Sequence, residues 1–94
     1  MTYEDTIEVE PEVYDLYVEG KYLDALKMQG NILRRRRGNC NIWTAEKDIG
    51  VALRIAEEGN ILLDVPSSVY GERSIHANAT WKAVDEVVKA INKL

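Results

Sequence analysis

Four consecutive arginines, Arg34-Arg35-Arg36-Arg37, are the residues of this chain best equipped for recognition chemistry. Each guanidinium presents a planar fork of N–H donors that matches a carboxylate or phosphate in bidentate fashion. The run therefore predicts contact with an anionic partner. The candidates are an acidic protein surface, the acidic end of this chain or of a second copy, and a nucleic acid. The plainest reading of the run, ranked ahead of these, is a solvated edge neutralised by the acidic amino-terminal segment. Trp43 lies six residues beyond Arg37 and is assigned to core or interface, since a tryptophan couples a large apolar area to one polar handle. Arg34, Arg35, Arg36, Arg37 and Trp43 form the candidate partner-binding set.

A weaker catalytic set is Asp64, Tyr70, Arg73 and His76, in or beside the segment from Pro66 to Asn78. Asp64 and His76, the single histidine, make an acid–base pair if the loop folds back. Structureless loops of this length are often functional; the alternative is a solvated connector. No metal or cofactor is expected. One histidine and one cysteine do not make a zinc site without convergent carboxylates. Ser67 and Ser68 lack a nucleophile elbow, and the glycines are too scattered for a phosphate loop.

Charge is segregated along the chain. Residues 1–20 carry Glu4, Asp5, Glu8, Glu10, Glu12, Asp15 and Glu19 and no base. Residues 21–37 carry Lys21, Lys27 and the four arginines against Asp24 alone. The net charge of −4 argues against a general nucleic-acid binder, because such binding is driven by phosphate neutralisation. The RNP1 pattern of sheet-type RNA readers is absent as well.

The 94 residues make one domain, with Tyr, Trp, Leu, Ile and Val building the core in the absence of phenylalanine. Cys40 is the only cysteine, so no internal disulfide forms, and it reads as a small buried hydrophobe. The acidic start MTYEDTIEVEPE has no signal-peptide h-region, and no apolar run approaches the roughly 20 residues that span a bilayer. The expectation is a cytoplasmic protein with no membrane partner.

The positioning elements follow from periodicity. Thr6 to Glu10 alternates apolar and charged, the period of a half-buried strand, and Pro11 ends it. Residues 12–29 read as helix, with Gly20 marking a kink or break. Gly30-Asn31 and Gly59-Asn60 each follow a helical Ala-Leu segment and precede an apolar pair, which suggests two copies of a helix–turn–strand device. Residues 31–44 then form a β-hairpin around Gly38-Asn39, with the arginines on an edge strand where charge blocks aggregation. The competing reading runs the helix on through Arg37, with arginines favoured by the dipole and Gly38 as cap; Gly30-Asn31 in mid-helix weighs against it. Thr44 caps a helix over 45–58, residues 61–65 form an apolar strand, and Thr80 or Asn78 caps a helix over 80–93.

One fragment, Leu16-Tyr17-Val18-Glu19-Gly20-Lys21-Tyr22-Leu23-Asp24-Ala25, resembles the middle of a tetratricopeptide repeat, where Gly, Tyr and Ala pack one helix on the next. The resemblance covers this stretch only and implies a helical hairpin over 12–33. No second repeat follows, and such units need about three copies for stability.

The order strand, helix, strand, strand, helix, strand, plus one extra helix, predicts an α+β, ferredoxin-like β-α-β-β-α-β sandwich with a C-terminal helix. The expected function is a small non-enzymatic binding or regulatory module, contacting an anionic partner through an arginine-rich edge hairpin. A protein partner or homo-oligomer is favoured over nucleic acid. The rival readings are a small enzyme with its site in the 66–78 loop, and a purely structural oligomer subunit.

Overall fold

The computed structural model describes residues 9–69 and 80–94. They form four α-helices: α1 (Pro11–Val18), α2 (Tyr22–Arg36), α3 (Ile42–Glu58) and α4 (Trp81–Asn92). A single 3-10 turn spans Ser67–Val69. No strand occurs among the described residues. The expected ferredoxin-like sandwich is therefore wrong, and the described residues form a helical bundle. Helix α2 lies at its centre and packs on α1, α3 and α4.

Each expected strand gives way for an identifiable reason. Val9 and Glu10 of the first lead directly into α1, with Pro11 at the first helical position, where its fixed φ and missing N–H cost nothing; residues 6–8 lie outside the described residues. The helix expected over 12–29 is two helices. α1 closes with Lys21 N–H on Leu16 O at 2.9 Å and Gly20 N–H on Tyr17 O at 3.0 Å, and Gly20 has φ +78°. That paired bonding satisfies two end carbonyls of α1 and turns the chain into α2. Two helices thus meet around Gly20, as the repeat-like fragment implies, but α2 runs on to Arg36.

The arginine-rich hairpin over 31–44 does not exist either. Gly30 sits inside α2, where it costs about 1 kcal/mol of helix propensity against alanine. A Cβ on Gly30 would lie 2.9 Å from Ile91 Cγ2, so the missing side chain is what lets α4 cross α2 closely. Gly30 is a packing residue, and Asn31 faces solvent on the same helix. The turn comes later. Arg37 (φ −54°, ψ 114°) and Gly38 (φ 81°) make the centre of a type II turn, closed by Asn39 N–H on Arg36 O at 2.7 Å. Asn39 Nδ2 donates to Arg35 O at 2.9 Å. Asn41, not Thr44, then caps α3: its Oδ1 accepts from Thr44 N at 2.9 Å and from Thr44 Oγ1 at 3.1 Å. Ile42, Trp43 and Thr44 are a first helical turn rather than a strand.

Residues 61–65 follow α3 as an unpaired connector. Asn60, at φ 53°, takes the left-handed position expected of Gly59, and Ile61 N–H bonds Ala56 O at 2.8 Å. With no sheet to join, the apolar run splits: Leu63 is buried and Leu62 is 91% exposed. The last helix forms as expected, with Thr80 Oγ1 accepting from Ala83 N at 3.0 Å.

The core is made where the helical stripes meet. Val13 comes from α1, Leu26, Ile32 and Leu33 from α2, Ile49, Ala52 and Ile55 from α3, and Val84, Val87 and Ile91 from α4. Cys40 is a free, half-buried thiol packed against this cluster. No helix among the described residues is long and apolar enough to cross a membrane.

Candidate functional site

The arginine run ends α2, where its cations complement the C-terminal dipole. At 100° per residue, four consecutive helical side chains point four ways. The run is therefore divided between structural and surface roles.

Arg36 turns into the bundle. Its Nη1 donates to Asp48 Oδ1 and Oδ2, both at 3.0 Å, and its Nη2 donates to Glu10 Oε1. The Asp48 side chain is only 5% exposed, while those of Arg36 and Glu10 are about one-third exposed. Gln29, also buried, donates from Nε2 to the Asp48 backbone oxygen at 3.0 Å. Burial pushes the Asp48 carboxyl above the ordinary range, and the Arg36 guanidinium pulls the other way without cancelling it. The hydrogen bonds to Asp48 in turn hold the Arg36 proton more firmly. Sequence reasoning missed Asp48. Its signal was position: Asp48 follows Ala45 by three residues and precedes Ala52 by four, on the buried stripe of α3.

Arg37 turns towards α4. Its Nε donates to Asp85 Oδ1 at 2.8 Å and its Nη2 to Asp85 Oδ2 at 3.2 Å, with the guanidinium carbon 5.3 Å from the Trp81 ring centroid. This fork and cation–π contact hold the first turn of α4 against the end of α2.

Arg34 and Arg35 are left on the surface and form no ion pair among the described residues. Trp43 is 73% exposed, one residue into α3. Residues 37–41 connect α2 to α3 directly, so Arg34, Arg35 and Trp43 occupy the same end of the bundle. Lys47, one turn beyond Trp43, is also exposed. The structure thus divides the five expected binding residues into a surface trio and two structural arginines.

Comparison with known protein families, curated proteins and solved structures finds no match. The site must be interpreted from its own chemistry.

The candidate catalytic residues are not brought together by anything the structure describes. Asp64 is exposed, with Lys93 Nζ 3.6 Å from its Oδ2. Tyr70, Arg73 and His76 lie outside the described residues. Among the described residues no three His, Cys, Asp or Glu side chains cluster to hold a metal.

A second polar cluster had no sequence signal. Tyr17 donates its hydroxyl to Glu58 Oε2, and its ring meets Tyr22 edge-on, with centroids 5.7 Å apart at 77°. The hydrogen bond to Glu58 pushes the Tyr17 phenol up to about 12. It ties the end of α1 to the end of α3.

Proposed function

We propose that this chain is a small non-enzymatic binding module that docks a carboxylate-bearing protein surface through Arg34, Arg35 and Trp43. The observation that carries the reading is the split of the arginine run. Arg36 and Arg37 have carboxylate partners within the fold, whereas Arg34 and Arg35 stand exposed at the end that carries an exposed tryptophan. Arginine and tryptophan are the residues most enriched at energetically dominant positions of protein interfaces. Two guanidinium forks at the same end as an exposed aromatic side chain offer carboxylates bidentate hydrogen bonds and offer the peptide an apolar resting place.

The test is binding of a fluorescent decaglutamate peptide, followed by anisotropy, with a mixed-sequence RNA of equal length in parallel. Arg34→Gln/Arg35→Gln should weaken peptide binding by about thirtyfold, the worth of two charge-assisted contacts of roughly 1 kcal/mol each. Trp43→Ala should weaken it without changing the salt dependence. Peptide affinity indifferent to all three residues refutes the reading. Tight RNA binding without peptide binding would move the site to nucleic acid.

A further inference from the structure

Helix α1 has a surface that complements α2. With about 100° per residue, Tyr14, Val18, Asp15, Glu19 and Glu12 fall in that order on one continuous arc of about 160°, and all five are exposed. The opposite side carries Val13, Leu16 and Tyr17, which face the bundle. The exposed arc is thus an apolar edge, Tyr14 at 53% and Val18 at 56% exposure, bordered by a row of acids. Glu19 is 3.6 Å from Lys21, but Glu12 and Asp15 form no ion pair among the described residues.

The exposed arc of α2 has the opposite sign. Leu23, Arg34, Lys27, Asn31, Asp24 and Arg35 follow one another around it, three cations against one acid, with Leu23 at 44% exposure. Each arc pairs an apolar edge with a charged row, and the two rows are opposite in charge. Tyr14 and Val18, one turn apart on the eight-residue α1, make a small exposed apolar pair rimmed by polar residues.

We propose that a second copy of this chain covers these faces: the acidic arc of α1 in one protomer packs on the basic arc of α2 in the other. This rests on the reading of Arg34 and Arg35 as carboxylate-binding residues and names Glu12 and Asp15 as carboxylates that reach them. Tyr14, Val18 and Leu23 supply the apolar part. Both complementary arcs belong to each copy, so the pairing can be made twice in a two-fold dimer, each arc used once. Its charged rows lie at the surface, so the dimer weakens as salt screens them.

The test uses the full chain in sedimentation equilibrium over a concentration series at low and high salt. The wild type should dimerise at low salt and dissociate at high salt. Arg34→Glu/Arg35→Glu and Glu12→Arg/Asp15→Arg should each be monomeric and still unfold cooperatively on heating, because all four positions are exposed and the reversed charges act only on the helix ends. Mixed one to one, the two variants should restore a dimer, since both opposite-charge pairings are recreated across the new interface. Tyr14→Ser/Val18→Ser should weaken dimerisation by roughly tenfold or more and leave its salt dependence in place. A wild type that stays monomeric at low salt overturns the proposal, as does a dimer that survives both charge reversals. The decaglutamate titration separates the two ideas. A monomer that binds the peptide through Arg34 and Arg35 loses only the second copy, and a monomer that does not bind it loses the binding role too.

Discussion

Arg36 and Asp48 form a two-pronged ion pair between α2 and α3, with one guanidinium nitrogen 3.0 Å from each carboxylate oxygen. The pair is lopsided. Asp48 is almost wholly out of water, while Arg36 keeps about one-third of its side-chain exposure and a second partner in Glu10. Losing the cation strands a buried charge, whereas losing the anion does not. Arg36→Met is therefore expected to cost about 3 kcal/mol and Asp48→Asn only about 1 kcal/mol. Urea unfolding of both variants at neutral pH checks this. Equal losses would mean that the desolvation of Asp48 has been misjudged.

The same pair sets a pH dependence. Burial raises the Asp48 carboxyl in the folded state, so the folded chain binds its proton more tightly than the unfolded chain. Stability from this group is thus present below the ordinary carboxylate pKa and is lost as pH rises through the higher folded value. Without Arg36 the carboxyl rises further. Arg36→Met should regain stability on moving from pH 7 to pH 5 more than the wild type does. A variant whose midpoint urea concentration tracks the wild type across that range contradicts the coupling.

Gly30 and Ile91 test the close crossing of α2 and α4. At an exposed helical site, alanine for glycine would stabilise by about 1 kcal/mol. Here the new Cβ would fall 2.9 Å from Ile91 Cγ2, and overpacking of this kind costs about 1–3 kcal/mol. Gly30→Ala should destabilise. Ile91→Ala opens the space the methyl needs, so the double variant should be more stable than the sum of the two losses. Additive losses in chemical denaturation would show that the two residues do not press on each other.

How far this fold could be read in advance depended on which interactions were local. The breaks at Gly20 and Gly38, the cap at Thr80 and the buried stripe of α3 are written in neighbouring residues, and each was legible. The role of Gly30 was not, because its reason is a side chain 61 positions away. Read locally, Gly-Asn after an Ala-Leu segment signals a helix end, and that one inference converted the second half of α2 into a strand. The apolar run at 61–65 was then assigned to a sheet it had no partner to build. In the candidate site, the charge and composition of the arginine run were visible but its division was not. That division follows from helical geometry, and the hairpin had placed the arginines at period two rather than 3.6. The hidden partner, Asp48, was detectable only as an acid on an apolar stripe.

Asn41 distinguishes the observed α3 start from the strand once expected there. Its side chain bonds both the N–H and the hydroxyl of Thr44. As a helix cap it should be worth about 1 kcal/mol, so Asn41→Ala should lower stability by that amount and Asn41→Asp should preserve it. Thr44→Val keeps the backbone bond and loses only the hydroxyl, so it should be milder. Were Thr44 the cap, Thr44→Val would be the more damaging change and Asn41→Ala close to neutral.

Tyr17 and Glu58 give an alkaline signature. The hydrogen bond to Glu58 stabilises the neutral phenol and raises its ionisation from 10.0 to about 12. In the unfolded chain the phenol ionises near its ordinary value, so the folded form binds the proton more tightly between those limits. Its contribution is fully present below pH 10 and fades as pH climbs towards 12. Ultraviolet titration should show one of the five tyrosines ionising about two pH steps after an ordinary phenol. Glu58→Gln removes the charge and the strong acceptor, and should bring that transition down towards the others. It should also flatten the loss of stability between pH 10 and pH 12, which thermal melts can follow. A late-titrating tyrosine that persists in Glu58→Gln would place the cause in burial alone, and the tie between α1 and α3 would then lie in the packing of Tyr17 on Tyr22.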